Sequence, residues 1–345
     1  LNLTVEELQD IAQGFGEKKY RGRQIFKWLY LGVQSFDEMT DIPKNLRGRL
    51  NEKFTVGRTR IVDSISSSSD EVTKYLFLLD DDNIIECVTM KYRYGITLCL
   101  STQVGCRMGC KFCASTKGGL IRNMDAGEMV SQVLKVNKSL AQNNERSIKN
   151  IVLMGSGEPL DNYDNVIRFL KLIHDPQGIN ISYRNITLST CGLVPNIIRL
   201  ADENLPVTLS ISLHAPNDKL RRDIMPIANA YTIQQILSAS EYYFKRTGRR
   251  VTFEYSLIDN VNDLEENARE LAEKLKHLES HVNIIPVNEI HDGIYKRSGN
   301  ERITRFMKIL SEHGITVTKR RELGLDINGA CGQLRRSYLD NKEGR

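Results

Sequence analysis

An α/β fold is predicted: a parallel sheet curled into an incomplete (β/α)6 barrel, preceded by a small helical domain and a short β extension. Three observations predict it. Apolar runs of strand length at 96–100, 150–154, 185–189, 207–213, 251–257 and 282–286 alternate with helical stretches, the pattern that builds parallel sheets. The loops after these runs carry the cysteines, glycines and polar residues that suggest chemistry. They therefore share the carboxyl-terminal rim where such barrels keep their reactive groups. Finally, 345 residues at 40% hydrophobic and 26% charged suffice for one large core and a smaller domain.

The elements follow in order. Residues 1–57 read as a helical accessory domain, with helices from Val5 to Gln13 and Arg23 to Tyr30 and a helical turn started by Pro43. Residues 58–94 read as a β extension packing on the barrel. Its strands are Val72 to Leu79 and Ile84 to Met90, separated by the polar turn Asp80-Asp81-Asp82-Asn83. Residues 95–320 hold the barrel. One helix carries Ile233, Ile236, Leu237, Tyr243 and Phe244 at helical spacing and stops at Gly248, and a second carries Leu264, Ala268, Leu271, Leu275 and Leu278. A last helix at about 300–312 and a last strand at 315–319 close it. Residues 321–345 form a closing segment with the Gly-bordered stretch Gly329-Ala330-Cys331-Gly332 and a basic tail.

Charge sets further bounds. The net charge of +5 proves no nucleic-acid partner, but its distribution is informative. Lys18, Lys19, Arg21, Arg23 and Lys27 interleave with Tyr20, Phe26, Trp28 and Tyr30, followed by Lys44, Arg47, Arg49, Arg58 and Arg60. Lys319-Arg320-Arg321 and Arg335-Arg336 lie near the other end. Such cations suit phosphate, while Ile25, Trp28 and Leu29 are expected to pack inside. No apolar stretch is long enough to span a bilayer and no secretory leader is visible. The chain begins at Leu1, so an initiator Met is expected upstream. Seven clustered cysteines point to a reducing cytoplasm rather than a disulfide framework.

Cys106, Cys110 and Cys113 stand at Cys-x3-Cys-x2-Cys spacing, with Phe112 before the third. Three thiolates on one short loop can hold three irons of a [4Fe–4S] cube, leaving the fourth open to a small molecule. They also suit zinc, although a closed structural zinc site needs a fourth ligand. On the other loops, Gly155-Ser156-Gly157-Glu158-Pro159 could pair a carboxylate with an ammonium group, or be a plain turn. Ser189-Thr190-Cys191-Gly192, Ser212-Leu213-His214-Ala215-Pro216 and Pro286-Val287-Asn288 complete the rim. A lone histidine at a strand end, as His214 is, is more often a structural hydrogen-bonder than a ligand. Cys87 and Cys191 read as packing residues.

Together the stretches Leu98 to Cys106, the cluster loop, Gly157-Glu158-Pro159-Leu160, Ser210 to Asn217 and Asp326 to Leu334 make the chain resemble the RlmN family. Its members are radical S-adenosylmethionine (radical SAM) enzymes that methylate adenine in 23S rRNA, at position 2503, and at position 37 of some tRNAs. The resemblance covers nearly the whole chain and implies a radical SAM barrel. It implies that Cys106, Cys110 and Cys113 ligate one [4Fe–4S] cluster and that the amino acid end of S-adenosylmethionine chelates the open iron. It also implies cofactor contacts at Gly157, Glu158, Ser189, Ser212, Leu213, His214 and Asn288. Cys331 matches a methyl-carrying cysteine, Cys99 its resolving partner and Glu86 a proton acceptor; without the family, Glu86 reads as an exposed strand carboxylate.

In the family scheme Cys331 takes a methyl from one S-adenosylmethionine and a 5′-deoxyadenosyl radical from a second takes hydrogen from it. The carbon radical adds to carbon 2 of adenine, a proton leaves, and Cys99 attacks Cys331, releasing product and a disulfide. The target adenine must be splayed out of folded RNA. The resemblance further implies an electron donor such as flavodoxin with its reductase, or ferredoxin, and a monomer in the cytoplasm. Ser156 stands where many relatives carry Met, and Asn328-Gly329 where Asp-Ala is frequent; neither removes a group the scheme needs. Two other readings are carried: the Cfr-type sister enzymes that methylate carbon 8 of the same adenine, and a non-catalytic RNA-binding protein with a structural metal.

Overall fold

The computed structural model describes residues 1–57, 59–287 and 294–327. Three helices open the chain: α1 (Val5–Gly14), α2 (Tyr20–Tyr30) and α3 (Lys44–Lys53). Thr4 caps α1 reciprocally with Glu7 at 3.2 and 2.8 Å, satisfying two donors that a helix start would otherwise leave open. Ile25, Phe26 and Leu29 are buried and Trp28 packs against the core, as their helical spacing predicts. Arg23 and Lys27 face outward, one turn apart. Arg168 on α5 (Tyr163–His174) grips Glu7 through two bonds of 2.8 and 2.9 Å, fastening the helices to the rest of the fold.

The strands β1 (Arg60–Ser66), β2 (Val72–Leu78), β3 (Ile84–Tyr92) and β4 (Gly95–Cys99) pair antiparallel in sequence order. From β4 the sheet continues in parallel through β7 (Ile148–Leu153), β8 (Ile186–Thr190), β9 (Thr208–Ser212), β10 (Val251–Leu257), β11 (Ser280–Pro286) and β12 (Val317–Lys319). The extension thus lengthens the barrel sheet edge-on. β5 (Gln103–Gly105) and β6 (Leu120–Asn123) form a separate antiparallel ribbon around the cysteine loop, which the apolar pattern did not reveal. The crossovers carry α4 (Ala126–Gln142), α5, α6 (Val194–Asp202), α7 (Asp218–Ile224), α8 (Ile233–Thr247), α9 (Glu265–Leu275) and α10 (Asn300–Glu312). Gly248 ends α8 in the left-handed conformation, as expected. Leu264 is the half-exposed residue before α9 rather than part of its apolar face.

Residues alternate across each parallel strand. Leu188, Leu209, Ile211, Phe253 and Tyr255 turn outward into the core under the helices. Ser189, Ser212, Glu254 and Ser256 turn inward and line a cavity. The barrel interior is therefore a hollow at the carboxyl ends of the strands, lined by these polar side chains together with apolar ones such as Leu153, Met154 and Ile285. After β12 the chain crosses to the opposite edge of the sheet. Gly324 N–H donates to Asp70 at 2.9 Å, and Leu323 and Ile327 pack with Val72, Val88 and Cys99. Among the described residues no helix is long and apolar enough to cross a membrane.

Candidate active site

The cysteine loop is shaped by local backbone constraints. Gly105 has φ +79°, and a Cβ there would lie 2.0 Å from the Gly119 carbonyl oxygen. Only glycine lets the two ends of the loop close, with Cys106 N–H donating to that carbonyl at 2.9 Å. Thr116 Oγ1 donates to the carbonyls of Cys110 and Cys113 at 3.1 and 2.9 Å. Arg107 clamps Asp161 with bonds of 2.6 and 2.9 Å, tying the loop to the turn that follows Glu158.

Cys106, Cys110 and Cys113 open onto one cavity of about 230 Å3. The same cavity is lined by Gly157, Glu158, Ser189, Ser212 and His214, so five of the seven cofactor positions expected from the sequence meet the three cysteines. Leu213 does not line it. Its side chain is in the core, its N–H donates to Glu254 O at 3.1 Å and its carbonyl accepts from Arg221 Nε at 3.1 Å. Asn288 and Cys331 lie outside the described residues.

Glu158 is 4% exposed. Its carboxylate accepts the N–H groups of Cys191 at 2.7 Å and Leu160 at 3.0 Å, and its own N–H donates to Gln103 Oε1 at 2.8 Å. Burial nevertheless pushes its carboxyl above the ordinary range. A buried carboxylate that is already costly to ionise is suited to receive a cation. His214 sits in the left-handed region at φ 55° and its Nδ1 accepts Ser256 N–H at 2.9 Å, which leaves the ring proton on Nε2. Burial first, then Arg221, pushes its pKa down to about 3. Its ring meets Phe112 edge-on at 4.9 Å.

The donors fit an iron–sulfur cluster. Burial raises Cys106 to about 12 and also raises Cys110, whose neighbours Cys113 and Cys106 add to the effect. Such thiols keep their protons until a metal replaces them. Behind them lies Arg221, fully buried, with Nη2 donating to the carbonyls of Cys191 at 2.6 Å and Ser212 at 3.2 Å. Its Nη1 finds no partner among the described residues. A buried cation with an unused donor suits an anionic group. Among the described residues no three metal-binding side chains are gathered tightly enough for a single ion; in a cubane each thiolate would meet a different iron.

Cys99 lies next to this cavity, and Glu86 stands on the neighbouring strand β3. Cys99 pairs with Val88 on β3 and packs with Met154, which itself lines the cavity. Glu86 shares the Val88 face of β3 by strand alternation and is 2% exposed, so the reading of an exposed strand carboxylate is overturned. Cys87 lies on the opposite face in the core, as expected. Cys191 is buried but also lines the cavity, so it is more than packing. Arg320, read as part of a phosphate grip, instead faces the cavity. Sequence reasoning missed Gln103, Asp161, Arg221, Glu254 and Arg320. Glu254 accepts from Ser210 at 2.7 Å and Asn283 at 2.9 Å, and its signal was a charge at an inward position of an apolar strand.

Comparisons with known proteins agree with this geometry. Residues 100–275 match the radical SAM superfamily, and residues 1–56 match the ribosomal RNA large subunit methyltransferase N-terminal domain. The chain is 53% identical over 341 residues to a probable dual-specificity RNA methyltransferase RlmN of Alkaliphilus oremlandii, covering 99% of this chain and 98% of that one. It is 53% identical over 343 residues to the protein so named in Clostridium perfringens strain SM101, with the same coverage. The crystal structure of a radical SAM methyltransferase from Sphaerobacter thermophilus superposes with a TM-score of 0.91 at 44% identity, covering 96% of this chain and 97% of that one. Identity above half over the full length, together with both domain matches, shows that the chain belongs to the RlmN family of radical SAM RNA methyltransferases.

Proposed function

We propose that this enzyme methylates carbon 2 of adenine in 23S rRNA and tRNA, with Cys331 as methyl carrier, Cys99 as resolving thiol and Glu86 as proton acceptor. The observation that carries the reading is the continuity of the two sites. Met154 lines the cavity of Cys106, Cys110 and Cys113 and also packs against Cys99. Leu323 and Ile327 bring the closing segment onto the same patch, four residues before Cys331.

Cys106, Cys110 and Cys113 would hold the cluster, and Glu158 the ammonium group of S-adenosylmethionine. When bound, the pair supplies a 5′-deoxyadenosyl radical by one-electron cleavage of the sulfonium. The chain's own residues do the rest. Cys331 thiolate accepts a methyl from one cofactor molecule and gives up a hydrogen atom from that methyl during the second use. The resulting Cys331-bound carbon adds to carbon 2 of adenine. Glu86 accepts the proton that leaves carbon 2. Cys99 thiolate then attacks the Cys331 sulfur, forming a disulfide and breaking the bond to the transferred carbon, which takes up a proton to become the methyl group; the odd electron left by the radical addition would pass back to the cluster. The buried setting of Glu86 and Cys99 excludes water from these steps.

Residues 1–57 act as the RNA grip in this reading, with exposed Arg23 and Lys27 beside a groove shared with Gln177. Flavodoxin or ferredoxin is the electron donor, and the enzyme works as a cytoplasmic monomer. The test is anaerobic reconstitution followed by an assay on protein-free 23S rRNA and total tRNA, with mass spectrometry against 2-methyladenosine and 8-methyladenosine standards. 2-Methyladenosine is expected, with Cys99→Ala trapping a protein–RNA crosslink and Cys331→Ala forming neither crosslink nor product. Exclusive 8-methyladenosine, or product from Cys331→Ala, overturns the reading.

A further inference from the structure

Lys74 on β2 is completely buried, and nothing above gives it a task. An ammonium in a protein interior has to be matched by negative charge, because an isolated buried ion is far too costly to keep. The ladder register indicates where that charge is. Lys74 stands opposite Val88, and Glu86 stands opposite Leu76. Both therefore project to the Val88 face of the sheet, on adjacent rows, as diagonal neighbours. Diagonal Cβ atoms in an antiparallel ladder are about 7–8 Å apart, within reach of a long side chain. The next residue across from Val88 is Cys99, and the surrounding side chains Val72, Met154, Leu323 and Ile327 are apolar.

We propose that Lys74 is the ionic partner of Glu86 and a positioning residue for the methyl transfer, aiming the carboxylate toward the site beside Cys99. Proton acceptance by Glu86 needs its carboxylate fixed beside the reacting adenine, and a long cationic side chain on the adjacent row of the same face can fix it there. The catalytic half of the proposal rests on the proton-acceptor reading of Glu86 given above. The pairing itself does not.

Two measurements decide it. In thermal melts of the apoprotein, Lys74→Met lowers the midpoint, and adding Glu86→Gln restores most of the loss, because the uncompensated carboxylate is gone. Simple addition of the two losses, or a Lys74→Met/Glu86→Gln protein that folds no better than Lys74→Met, overturns the pairing. In single turnover with reconstituted enzyme, Lys74→Met methylates Cys331 at the wild-type rate but resolves the protein–RNA adduct at least about tenfold more slowly, and Lys74→Arg resolves it normally. Wild-type resolution by Lys74→Met overturns the catalytic half. If Glu86→Gln itself resolves the adduct normally, the proton-acceptor reading falls, and the melting cycle alone still decides the pairing.

Discussion

Asp326 accepts a hydrogen bond from Ser67 Oγ at 2.7 Å, joining residues 259 positions apart in the chain. Its other oxygen accepts from Ser68 N–H at 2.8 Å and Ser68 Oγ at 3.0 Å. The serine-rich turn between β1 and β2 thus catches the segment that leads to Cys331. These bonds hold the Asp326 carboxyl down at about 2 from its ordinary 3.8. A carboxylate lowered in this way supports the fold fully above 3.8 and loses that support progressively as pH falls from there through about 2. The latch is therefore closed at neutral pH.

Asp326→Ala should leave the apoprotein melting point within a few degrees, since the latch is exposed. It should slow formation of the Cys99–Cys331 disulfide under mild oxidation several-fold. Thiol trapping with mass spectrometry measures this. A wild-type disulfide rate in the variant would mean that the latch does not position the segment leading to Cys331.

The cysteine loop and the strand–helix alternation were legible because both are local in sequence: a spacing of three and two residues, and apolar runs bounded by polar turns. What escaped notice was long-range. Arg221 satisfies carbonyls of Cys191, Ser212 and Leu213, and no sequence spacing announces an arginine that will be folded under two loops. Arg320 reads as one of three surface cations until β12 places it beside Glu254. The inward polar row was visible in principle. Leu209-Ser210-Ile211-Ser212 and Phe253-Glu254-Tyr255-Ser256 alternate with period two, which for strands covered by helices on one side marks the other side as a polar cavity. Glu86 shows the reverse failure. Its strand looked half-exposed, but Met154, Leu323 and Ile327, distant in sequence, pack on the face of β3 that it shares with Val88.

Gly105→Ala should abolish cluster loading. The added methyl would meet the Gly119 carbonyl oxygen at 2.0 Å, at a backbone φ of +79°. Together these cost roughly 2 kcal/mol or more unless the loop opens. Opening it separates Cys106 from its bond to Gly119. Gly118→Ala on the same loop meets nothing within 4 Å and should load normally. Iron and sulfide content after anaerobic reconstitution distinguishes the two, and equal loading would show that tight closure is not required.

His214 predicts an acid sensitivity. It stays neutral in the folded protein down to about 3, against 6.5 for an ordinary imidazole. Between those values the unfolded chain binds the extra proton, so stability falls as pH drops from 6.5 toward 3. At about 1.4 kcal/mol per unit the effect is at most ~5 kcal/mol. His214→Asn retains an acceptor for Ser256 N–H and tolerates the left-handed backbone. Its denaturant midpoint should change less between pH 7 and pH 5 than that of the wild type. Parallel pH curves for the two proteins would remove His214 as the cause.

Glu158→Gln should separate stability from cofactor binding. Burial raises the Glu158 carboxyl above its ordinary 4.5, against the opposing hydrogen bonds from Cys191 and Leu160. In the window above 4.5 the folded state holds a proton that the unfolded chain has released, so the wild-type apoprotein loses stability as pH rises through that window. A neutral amide does not titrate, and its stability should be flat there. It gives up one acceptor to the Cys191 N–H, which sets a constant offset of about 1 kcal/mol against it. Measured as a difference between the two proteins, the variant should gain on the wild type as pH increases. S-adenosylmethionine binding should move the other way. Without a charged carboxylate for the ammonium group, affinity of the cluster-loaded enzyme should fall by at least about tenfold, the worth of one charge-assisted contact. Calorimetry with S-adenosylmethionine against melting curves over the same pH range tests both halves. A variant that binds the cofactor as tightly as the wild type would place the ammonium elsewhere in the cavity, where Glu254 is a second buried carboxylate among the described residues.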